Sequence, residues 1–355
     1  MPTARPDQLH EMTRAICMAG GSEAREAGLV ADHLVAANLA GHDSHGIGML
    51  PAYVESLNAG RLFANQHIGV VRDIGALVVI EGSRGYGQVI GYEAMELAVE
   101  RAKAHGVALA AIRNTFHLGR IGHWGEQCAR AGCASVHFVN GIDHGPLQAP
   151  YGGAVARLST NPFCVTLPGR DGPSVVLDMA TTKIAMGKAR VAFNKGVEVP
   201  EESVLDAKGF PTRNAQAMFD DPRGALVSMG DHKGSGLAIL CELMAGALSG
   251  GWTIQPEHPQ AGGIINNMLS IVIDPDAMGE RAALYHEIEA LVAWVKAAPT
   301  RPGFEEVLVP GEPEARRRIE RARDGIEVDP RTFGDIRAAA ATLGIDDRRF
   351  DAFFN

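Results

Sequence analysis

The sequence lacks the features of membrane, secreted and nucleic-acid-binding proteins. No stretch reaches the roughly 18 uninterrupted apolar residues that a membrane span needs, and the opening MPTARPDQLHEM has no apolar signal-peptide core. The formal net charge of -9 disfavours a nucleic-acid surface, because phosphate binding requires a basic face. We therefore expect a cytoplasmic protein with neither nucleic-acid nor membrane partners.

Cysteine is scarce, and its placement excludes a disulfide framework. The five cysteines include no CxxC pair and no Cys/His cluster with zinc spacing. The segment 42–45 (HDSH) has two histidines and an aspartate, but its HxxH spacing differs from the i, i+4 spacing of zinc-binding helices. We predict reduced, mostly buried thiols and no metal.

The length and composition predict more than one lobe around a shared cleft, since the chain has 355 residues of which 46% are hydrophobic. Periodicity predicts helices over 7–40 with a break at Gly20–Gly21, from Pro51 to Gly60, and over 92–105, 123–131 and 237–249. It predicts strands over 69–81, 107–112, 134–140, 175–177 and 269–273. A polar loop is expected over 114–119, and two helices split near Pro330 form the tail. The alternation predicts a mixed α/β fold.

The GxGxxG fingerprint of the Rossmann dinucleotide fold is also missing. The three GxG sites all lack the third glycine at the required spacing. The segment 230–236 (GDHKGSG) nevertheless has the parts of an anion site: glycines that free backbone N–H groups, a predicted helix behind them, and Lys233. A glycine-rich helix start with a surface lysine explains the same segment equally well.

Two histidines in glycine-flanked loops are candidates for proton transfer. His45 lies in HDSHG (42–46) after a predicted helix, and His117 lies in NTFHLG (114–119) after a predicted strand. Histidine is the natural proton carrier near neutral pH, although either residue, taken singly, also suits a structural hydrogen-bonding role. Ser44 beside His45 raises the alternative of a hydrolase nucleophile. That alternative is disfavoured, because there is no GxSxG elbow and adjacent side chains are not expected to face one another.

Six blocks of sequence, taken together, resemble the malate/L-lactate dehydrogenase family of the second type, which also holds ureidoglycolate, sulfolactate, diketogulonate and cyclic-imine reductases. The blocks are HDSHGIGMLPAYVESLNAG (42–60), NTFHLGRIGHW (114–124), STNPF (159–163), LDMATTKIAMGK (177–188), GDHKGSGLAILCELMAGALSGG (230–251) and LVPGE (308–312). They occur in the family's order and spacing, and the resemblance covers most of the chain.

The resemblance implies a mixed α/β (α+β) fold, in which a non-Rossmann cofactor domain with a largely antiparallel sheet is joined by helical regions from both termini. We expect an N-terminal helical region with an active-site loop over 1–75 and a mixed cofactor- and substrate-binding region over 76–310. The remaining residues, 311–355, are expected to form C-terminal helices that pack back on the N-terminal region.

The implied activity is hydride transfer between the nicotinamide of NAD or NADP and a small 2-hydroxy or 2-oxo acid, in a homodimer. The alternatives are a reductase of a cyclic imine carboxylate and a dinucleotide-binding protein without dehydrogenase activity. A helix face with Ala36, Ala37 and Ala40 permits close packing between subunits. Gly141 stands where a hydroxylic residue is common in the family, which leaves the choice of substrate open.

The resemblance also implies roles for individual residues. His45 or His117 is the proton-transferring residue, with Ser44 beside the first, and Thr160 and Asn161 lie beside nicotinamide and substrate. The residues implied in cofactor binding are Asp178, Met179, Ala180, Thr181, Thr182, His232, Lys233, Gly311 and Glu312.

Overall fold

The structure is a computed structural model that describes residues 3–258 and 260–354. Its helices are α1 (Pro6–Ala19), α2 (Ala24–Leu39), α3 (Leu50–Asn58), α4 (Gly87–His105), α5 (Gly122–Arg130), α6 (Met186–Lys195), α7 (His232–Cys241), α8 (Arg281–Lys296), α9 (Glu312–Asp324), α10 (Pro330–Thr342) and α11 (Asp347–Ala352). Its strands are β1 (Thr3–Ala4), β2 (Gly69–Ile74), β3 (Leu77–Glu81), β4 (Val107–Phe116), β5 (Ala134–Ile142), β6 (Phe163–Gly169), β7 (Gly172–Met179), β8 (Val204–Leu205), β9 (Pro211–Thr212), β10 (Ala225–Leu226), β11 (Ile265–Ile273) and β12 (Ile326–Glu327).

A seven-stranded sheet in the order β2-β3-β4-β11-β5-β6-β7 forms the centre of the fold. Within the described part of the chain, β3 and β4 are its one parallel pair, and every other neighbouring pair is antiparallel. The prediction of a mixed fold with a largely antiparallel sheet is therefore confirmed. Strand β7 lies at one edge of the sheet.

Helices α4 and α5 cover one face of this sheet. Ala108 and Ile112 of β4 are fully buried in the same apolar cluster as the inner residues of α4. Gly91 of α4 lets Trp124 of α5 come close, because a Cβ at Gly91 would lie 2.7 Å from the Trp124 ring. The packing fixes the end of β4, which His117 follows.

The two ends of the chain build a second core together. Strand β1 pairs with β12, with Thr3 opposite Glu327. Helix α9 lies against α2, and α10 lies against α3. One apolar cluster joins Leu9 and Leu34 from the N-terminal helices to Ile336 from α10. The C-terminal helices thus contact the N-terminal region, as expected, while the residue limits of the three regions stay a prediction.

Several element boundaries differ from those predicted. Helix α7 begins at His232, not at residue 237, so the predicted glycine loop forms its first turns. The glycines serve packing here, because a Cβ at Gly234 would lie 2.1 Å from the Met229 carbonyl oxygen. Strand β4 continues to Phe116, into the predicted polar loop. Helices α6, α8 and α11 have no counterpart among the predicted helices.

Other expectations concern burial. All five cysteines are buried, which confirms that part of the prediction, and none of them forms a disulfide bond. The argument for a subunit contact through the alanines of α2 is wrong, because Ala37 and Ala40 are buried inside the chain. No helix within residues 3–258 and 260–354 combines the length and the apolar character that crossing a membrane requires.

Candidate active site

His45 and His117 lie face to face, although they come from different parts of the chain. Their ring centroids are 5.6 Å apart, with 22° between the ring planes. His45 ends a short helical turn, Asp43–His45, between α2 and α3. Asn38 of α2 holds this turn, because its amide donates to the Asp43 carboxylate at 2.7 Å and accepts from the backbone N–H of Ile47 at 2.8 Å.

Tyr53 and Gln88 fix the protonation pattern of His117. The Gln88 amide nitrogen donates to the Tyr53 hydroxyl oxygen at 3.0 Å and also contacts the His117 carbonyl oxygen at 3.3 Å, which sets the orientation of the amide. The Tyr53 hydroxyl therefore directs its own proton to Nδ1 of His117, 2.8 Å away. With Nδ1 as an acceptor, neutral His117 carries its proton on Nε2, so that nitrogen is a hydrogen-bond donor.

His45 is held differently. Ser44 Oγ lies 3.0 Å from Nδ1 of His45, so the expectation that these adjacent side chains do not face one another is wrong. The short helical turn brings the two side chains together. A hydroxyl both donates and accepts, so Ser44 stabilises either tautomer of His45. His45 is thus the member of the pair whose Nε2 is free to take up or release a proton.

Burial keeps both histidines neutral near pH 7. Desolvation, followed by the charges of His42 and Arg120, lowers the pKa of His45 to about 4. Desolvation, followed by the charges of His45 and His144, lowers the pKa of His117 to about 3. With both rings neutral, the positive charge close to His45 is the Arg120 guanidinium, which favours an anionic ligand such as a carboxylate.

The end of β7 lies close to the segment after His117. Asp178 Oδ2 accepts from the backbone N–H of Gly122 at 2.8 Å and lies 3.4 Å from Nε of Arg120. Burial raises the pKa of Asp178, and the Arg120 charge opposes that rise. Arg120 also donates to Glu126 at 2.7 Å, and Arg318 of α9 donates to the same carboxylate. The ion pair between Arg318 and Glu126 thus connects α9 to the site.

Backbone hydrogen bonds connect the segment at Thr160, the residues after β7 and the segment before α7. The N–H of Thr181 donates to the Thr160 carbonyl at 3.1 Å, and the N–H of Met229 donates to the Thr181 carbonyl at 2.9 Å. The chain then enters α7, whose first two residues, His232 and Lys233, are both exposed. Residues distant in sequence therefore meet at the start of α7.

The Asn161 side chain is already occupied by protein groups. Its amide oxygen accepts from the N–H of Gly141 at 3.3 Å, and its nitrogen donates to the Ala238 carbonyl at 3.0 Å and to Glu242 at 2.6 Å. Glu242 also accepts from the Asn140 amide at 3.0 Å. In this arrangement Asn161 joins β5 to α7 and positions its neighbour Thr160.

Gly311 and Glu312 lie at the start of α9, against the edge strand. Val176 of β7 lies two residues before Asp178. Its N–H donates to the carbonyl oxygen of Pro310 at 3.1 Å. Gly311 has φ +96°, and a Cβ there would lie 3.2 Å from Val176, so this turn requires glycine. Glu312 accepts from Lys296 and from the N–H of Val309.

The end of β7 and the residues that follow it, 178–182, fit a ligand that is anionic and rich in hydrogen-bonding groups. Thr182 Oγ1 and Arg120 Nη1 are buried there without a protein partner. Met179 and Ala180 are half-buried and leave backbone surface along the strand end. Lys233 adds an exposed positive charge at the start of α7. Such a donor set is suited to the phosphates and riboses of a dinucleotide.

The alternative of a metal site at residues 42–45 has no geometric support. His42 lies 3.3 Å from Glu314, whereas Asp43 pairs with Arg321 at 2.6 Å. His45 pairs with Ser44 instead. The three side chains therefore point to different partners, and within residues 3–258 and 260–354 no group of three or more potential ligands converges.

Sequence reasoning missed four residues of this site. Tyr53 lies on α3 and Gln88 lies on α4. Both are buried among the apolar residues of their helices, so their polar atoms give no separate signal in the sequence. Arg120 follows His117 closely in sequence but carries no motif of its own. A Cβ at Gly187 would lie 2.2 Å from Cβ of Ser44, so this glycine lets α6 pack against the serine. Long-range contacts of this kind leave no periodic signal in a sequence.

Comparison with known proteins identifies the family. Residues 4–337 match the family model described as malate/L-lactate dehydrogenase, so the chain belongs to that family. It is 45% identical over 347 residues to hydroxycarboxylate dehydrogenase B of Escherichia coli K12, covering 97% of this chain and 95% of that protein. These matches identify an oxidoreductase of the 2-hydroxy acid dehydrogenase type.

Solved structures agree on the fold. A putative malate/lactate dehydrogenase from Escherichia coli superposes with a TM-score of 0.94 at 44% identity, over 99% of this chain and 98% of that one. The Δ1-piperideine-2-carboxylate reductase of Pseudomonas syringae superposes with a TM-score of 0.81 at 28% identity, over 96% of this chain and all (100%) of that one. The fold is therefore shared with proteins described as a dehydrogenase and as a reductase.

Proposed function

We propose that the protein is an NAD(P)-dependent dehydrogenase that interconverts a small 2-hydroxy acid and its 2-oxo acid, with His45 as the proton carrier. The stacked pair of His45 and His117 carries the proposal. One histidine is fixed as a donor and the other is free to exchange a proton, and oxidation of an alcohol needs both functions. The runner-up, a dinucleotide-binding protein without activity, gives no reason for this division.

In the direction of oxidation, neutral His45 takes the proton of the substrate hydroxyl at Nε2 while Ser44 supports its Nδ1. The Nε2–H group of His117 donates to the same substrate oxygen and stabilises the charge that develops on it. In reduction, protonated His45 returns the proton to the oxygen. The nicotinamide, when bound, accepts or supplies the hydride at C2 of the acid.

We assign cofactor binding to the strand end and to the starts of the two neighbouring helices. Residues 178–182 present backbone and hydroxyl groups, Lys233 and His232 supply donors at the start of α7, and Gly311–Glu312 close the site from α9. The partner-free Thr182 hydroxyl and the exposed Lys233 support this assignment. The backbone hydrogen bond from the N–H of Thr181 to the carbonyl of Thr160 supports a place for Thr160 beside this surface.

We propose further that the working unit is a homodimer formed through α7. Exposed apolar side chains follow one face of α7 and the segment after it, namely Ile239, Leu240, Leu243, Leu248 and Trp252. An open cavity of about 620 Å³ has Ile239 and Leu243 in its wall. A contiguous apolar surface of this kind is typical of an interface, and a second copy of the chain is the partner that the family resemblance implies.

The test is a panel of 2-oxo acids and one cyclic imine carboxylate, each with NADH and NADPH, followed by absorbance at 340 nm. The proposal expects turnover of at least one short 2-oxo acid, and loss of that turnover in His45→Gln. Turnover of the imine alone would favour the reductase alternative, which the Pseudomonas syringae neighbour supports. Cofactor binding with no turnover of any substrate would overturn the proposal.

A further inference from the structure

A third histidine, His144, lies at the site and has no part in the proton transfer described above. It follows β5, and it is close enough to His117 for its charge to lower the pKa of His117. Its Nδ1 lies 2.8 Å from the carbonyl oxygen of Gly145, so Nδ1 carries the proton and Nε2 has a free lone pair. The hydroxyl of Ser159 lies 3.4 Å from this Nε2, which is long for a hydroxyl hydrogen bond.

Because Gly141 of β5 has no side chain, His144 and Ser159 can approach the backbone of the sheet closely. A Cβ at Gly141 would lie 2.9 Å from Ser159 Oγ, 3.1 Å from His144 Nε2 and 3.5 Å from the Asn266 amide nitrogen. The Asn266 amide oxygen in turn accepts from the N–H of Leu118 at 2.8 Å, next to His117. Any larger residue at 141 would push these polar groups away from the site.

A strained corner holds His144 in place. Asp143 has φ +70°, an unfavourable conformation for this residue, and its carboxylate accepts from Arg84 at 2.6 Å and from the N–H of Ala261 at 2.5 Å. Its carbonyl also accepts from the N–H of Gly262 at 2.9 Å. Backbone strain that several contacts enforce is concentrated at functional sites, because the surrounding structure must stabilise it. The position of His144 is therefore fixed before any ligand arrives.

We infer that His144 and Ser159 form a specificity subsite that accepts a hydrogen bond from a hydroxyl group on the substrate carbon next to the reacting carbonyl. The inference rests on the proposed function and names its substrate class, the 3-hydroxy-2-oxo acids. The Nε2 lone pair of His144 favours a hydroxyl over a methyl group, and it disfavours a second carboxylate, which has no proton to donate; the Ser159 hydroxyl beside it donates to or accepts from the same substrate hydroxyl.

The experiment compares 3-hydroxypyruvate with pyruvate, which differ by this hydroxyl alone. We expect kcat/KM of the unaltered protein to be at least about tenfold higher for 3-hydroxypyruvate, the ratio that one well-formed hydrogen bond produces. His144→Ala, Ser159→Ala and Gly141→Ala should each bring the ratio close to one while changing kcat/KM for pyruvate by less than about threefold. Three variants keep the test valid if one of them does not fold.

The matched control is Gly145→Ala, in the same loop, where an added Cβ meets nothing within 4 Å and the carbonyl that contacts His144 remains. This variant should keep the ratio of the unaltered protein. Equal turnover of the two acids by the unaltered protein, or a ratio that survives in all three subsite variants, would overturn the inference and leave the proposed function standing. Absence of turnover with every 2-oxo acid would overturn both.

Discussion

The hydroxyl of Tyr53 lies 2.8 Å from Nδ1 of His117 and accepts from the Gln88 amide at 3.0 Å. The chain of donors runs in one direction, from Gln88 through Tyr53 to the imidazole, and it leaves a proton on Nε2. His45 has only the Ser44 hydroxyl beside it, which suits both tautomers. The two histidines thus differ in their partners, and on this difference we base the proposal that His117 orients the substrate and His45 exchanges the proton.

The Tyr53→Phe variant tests the fixed tautomer. Removal of the hydroxyl leaves Nδ1 of His117 without its donor, so the ring populates both tautomers. We expect the substrate KM to rise about tenfold and kcat to fall less, as for the loss of one buried hydrogen bond. The matched control is Tyr86→Phe, a second buried tyrosine, whose ring lies 5.9 Å from that of Tyr53. An unchanged KM in Tyr53→Phe, or an equal rise in the control, would contradict the assignment.

The pH dependence tests His45, whose pKa is lowered to about 4. Reduction requires the protonated ring, and kcat/KM reports the free enzyme, so kcat/KM for a 2-oxo acid should fall about tenfold per pH unit above about pH 4. Oxidation uses the neutral ring, which predominates above about pH 5, so kcat/KM for the 2-hydroxy acid should show no histidine limb from about pH 6 to 9.

His45→Gln should abolish the pH limb in reduction and lower kcat on the order of 10²–10⁴-fold. His117→Gln should act mainly on substrate KM, and the exposed His286→Gln should change neither constant. Steady-state rates across the pH range, with protein folding checked by circular dichroism, provide the measurement. A His45→Gln variant that keeps both kcat and the limb would show that another group carries the proton.

Lys233→Ala tests the cofactor surface at the start of α7. An exposed lysine there contributes a point charge to a phosphate, so its loss should raise the cofactor KM about tenfold or more with little change in kcat. Lys233→Arg should rescue only part of the affinity, because a planar guanidinium does not reproduce an ammonium group. Lys208→Ala, an exposed lysine outside the site, is the control. Unchanged cofactor affinity in Lys233→Ala would remove this residue from the binding surface.

Leu240→Glu tests the proposed dimer. Leu240 is 53% exposed in the single chain, so a charge at this position leaves the isolated subunit folded but disfavours an apolar contact. Sedimentation should give twice the 37.6 kDa chain mass for the unaltered protein and the single-chain mass for the variant. The control is Leu291→Glu, which changes an exposed leucine of a different helix, α8. A fully active unaltered protein at the single-chain mass would exclude the dimer.

The sequence predicted the elements better than the contacts between them. Local periodicity located α4, β4 and β5, and the blocks around His45 and His117 contain the two histidines whose rings lie face to face in the structure. Helix α8 was missed because its apolar residues are largely exposed: Leu291 and Trp294 are 62% and 78% accessible. Such a helix has no buried stripe to set its period.

The partners of the site residues had no comparable signal. Tyr53, Gln88 and His144 are brought to the histidines by the packing of α3, α4 and the corner after β5. The expectation that adjacent side chains do not face one another also failed, because the short helical turn at 43–45 places the Ser44 hydroxyl beside the His45 ring. Side-chain direction in irregular segments depends on the tertiary structure around them, which a single sequence does not encode locally.

The most direct test of the central claim follows the hydride itself. The protein is incubated with a 2-oxo acid and with NADH or NADPH that carries deuterium at C4 of the nicotinamide, on the transferred face, and the product is analysed by mass spectrometry and proton NMR. Our account predicts one deuterium at C2 of the 2-hydroxy acid, a rate that depends on His45, and no deuterium elsewhere. A 2-hydroxy acid without deuterium at C2, or no product with a label on either face, would contradict it.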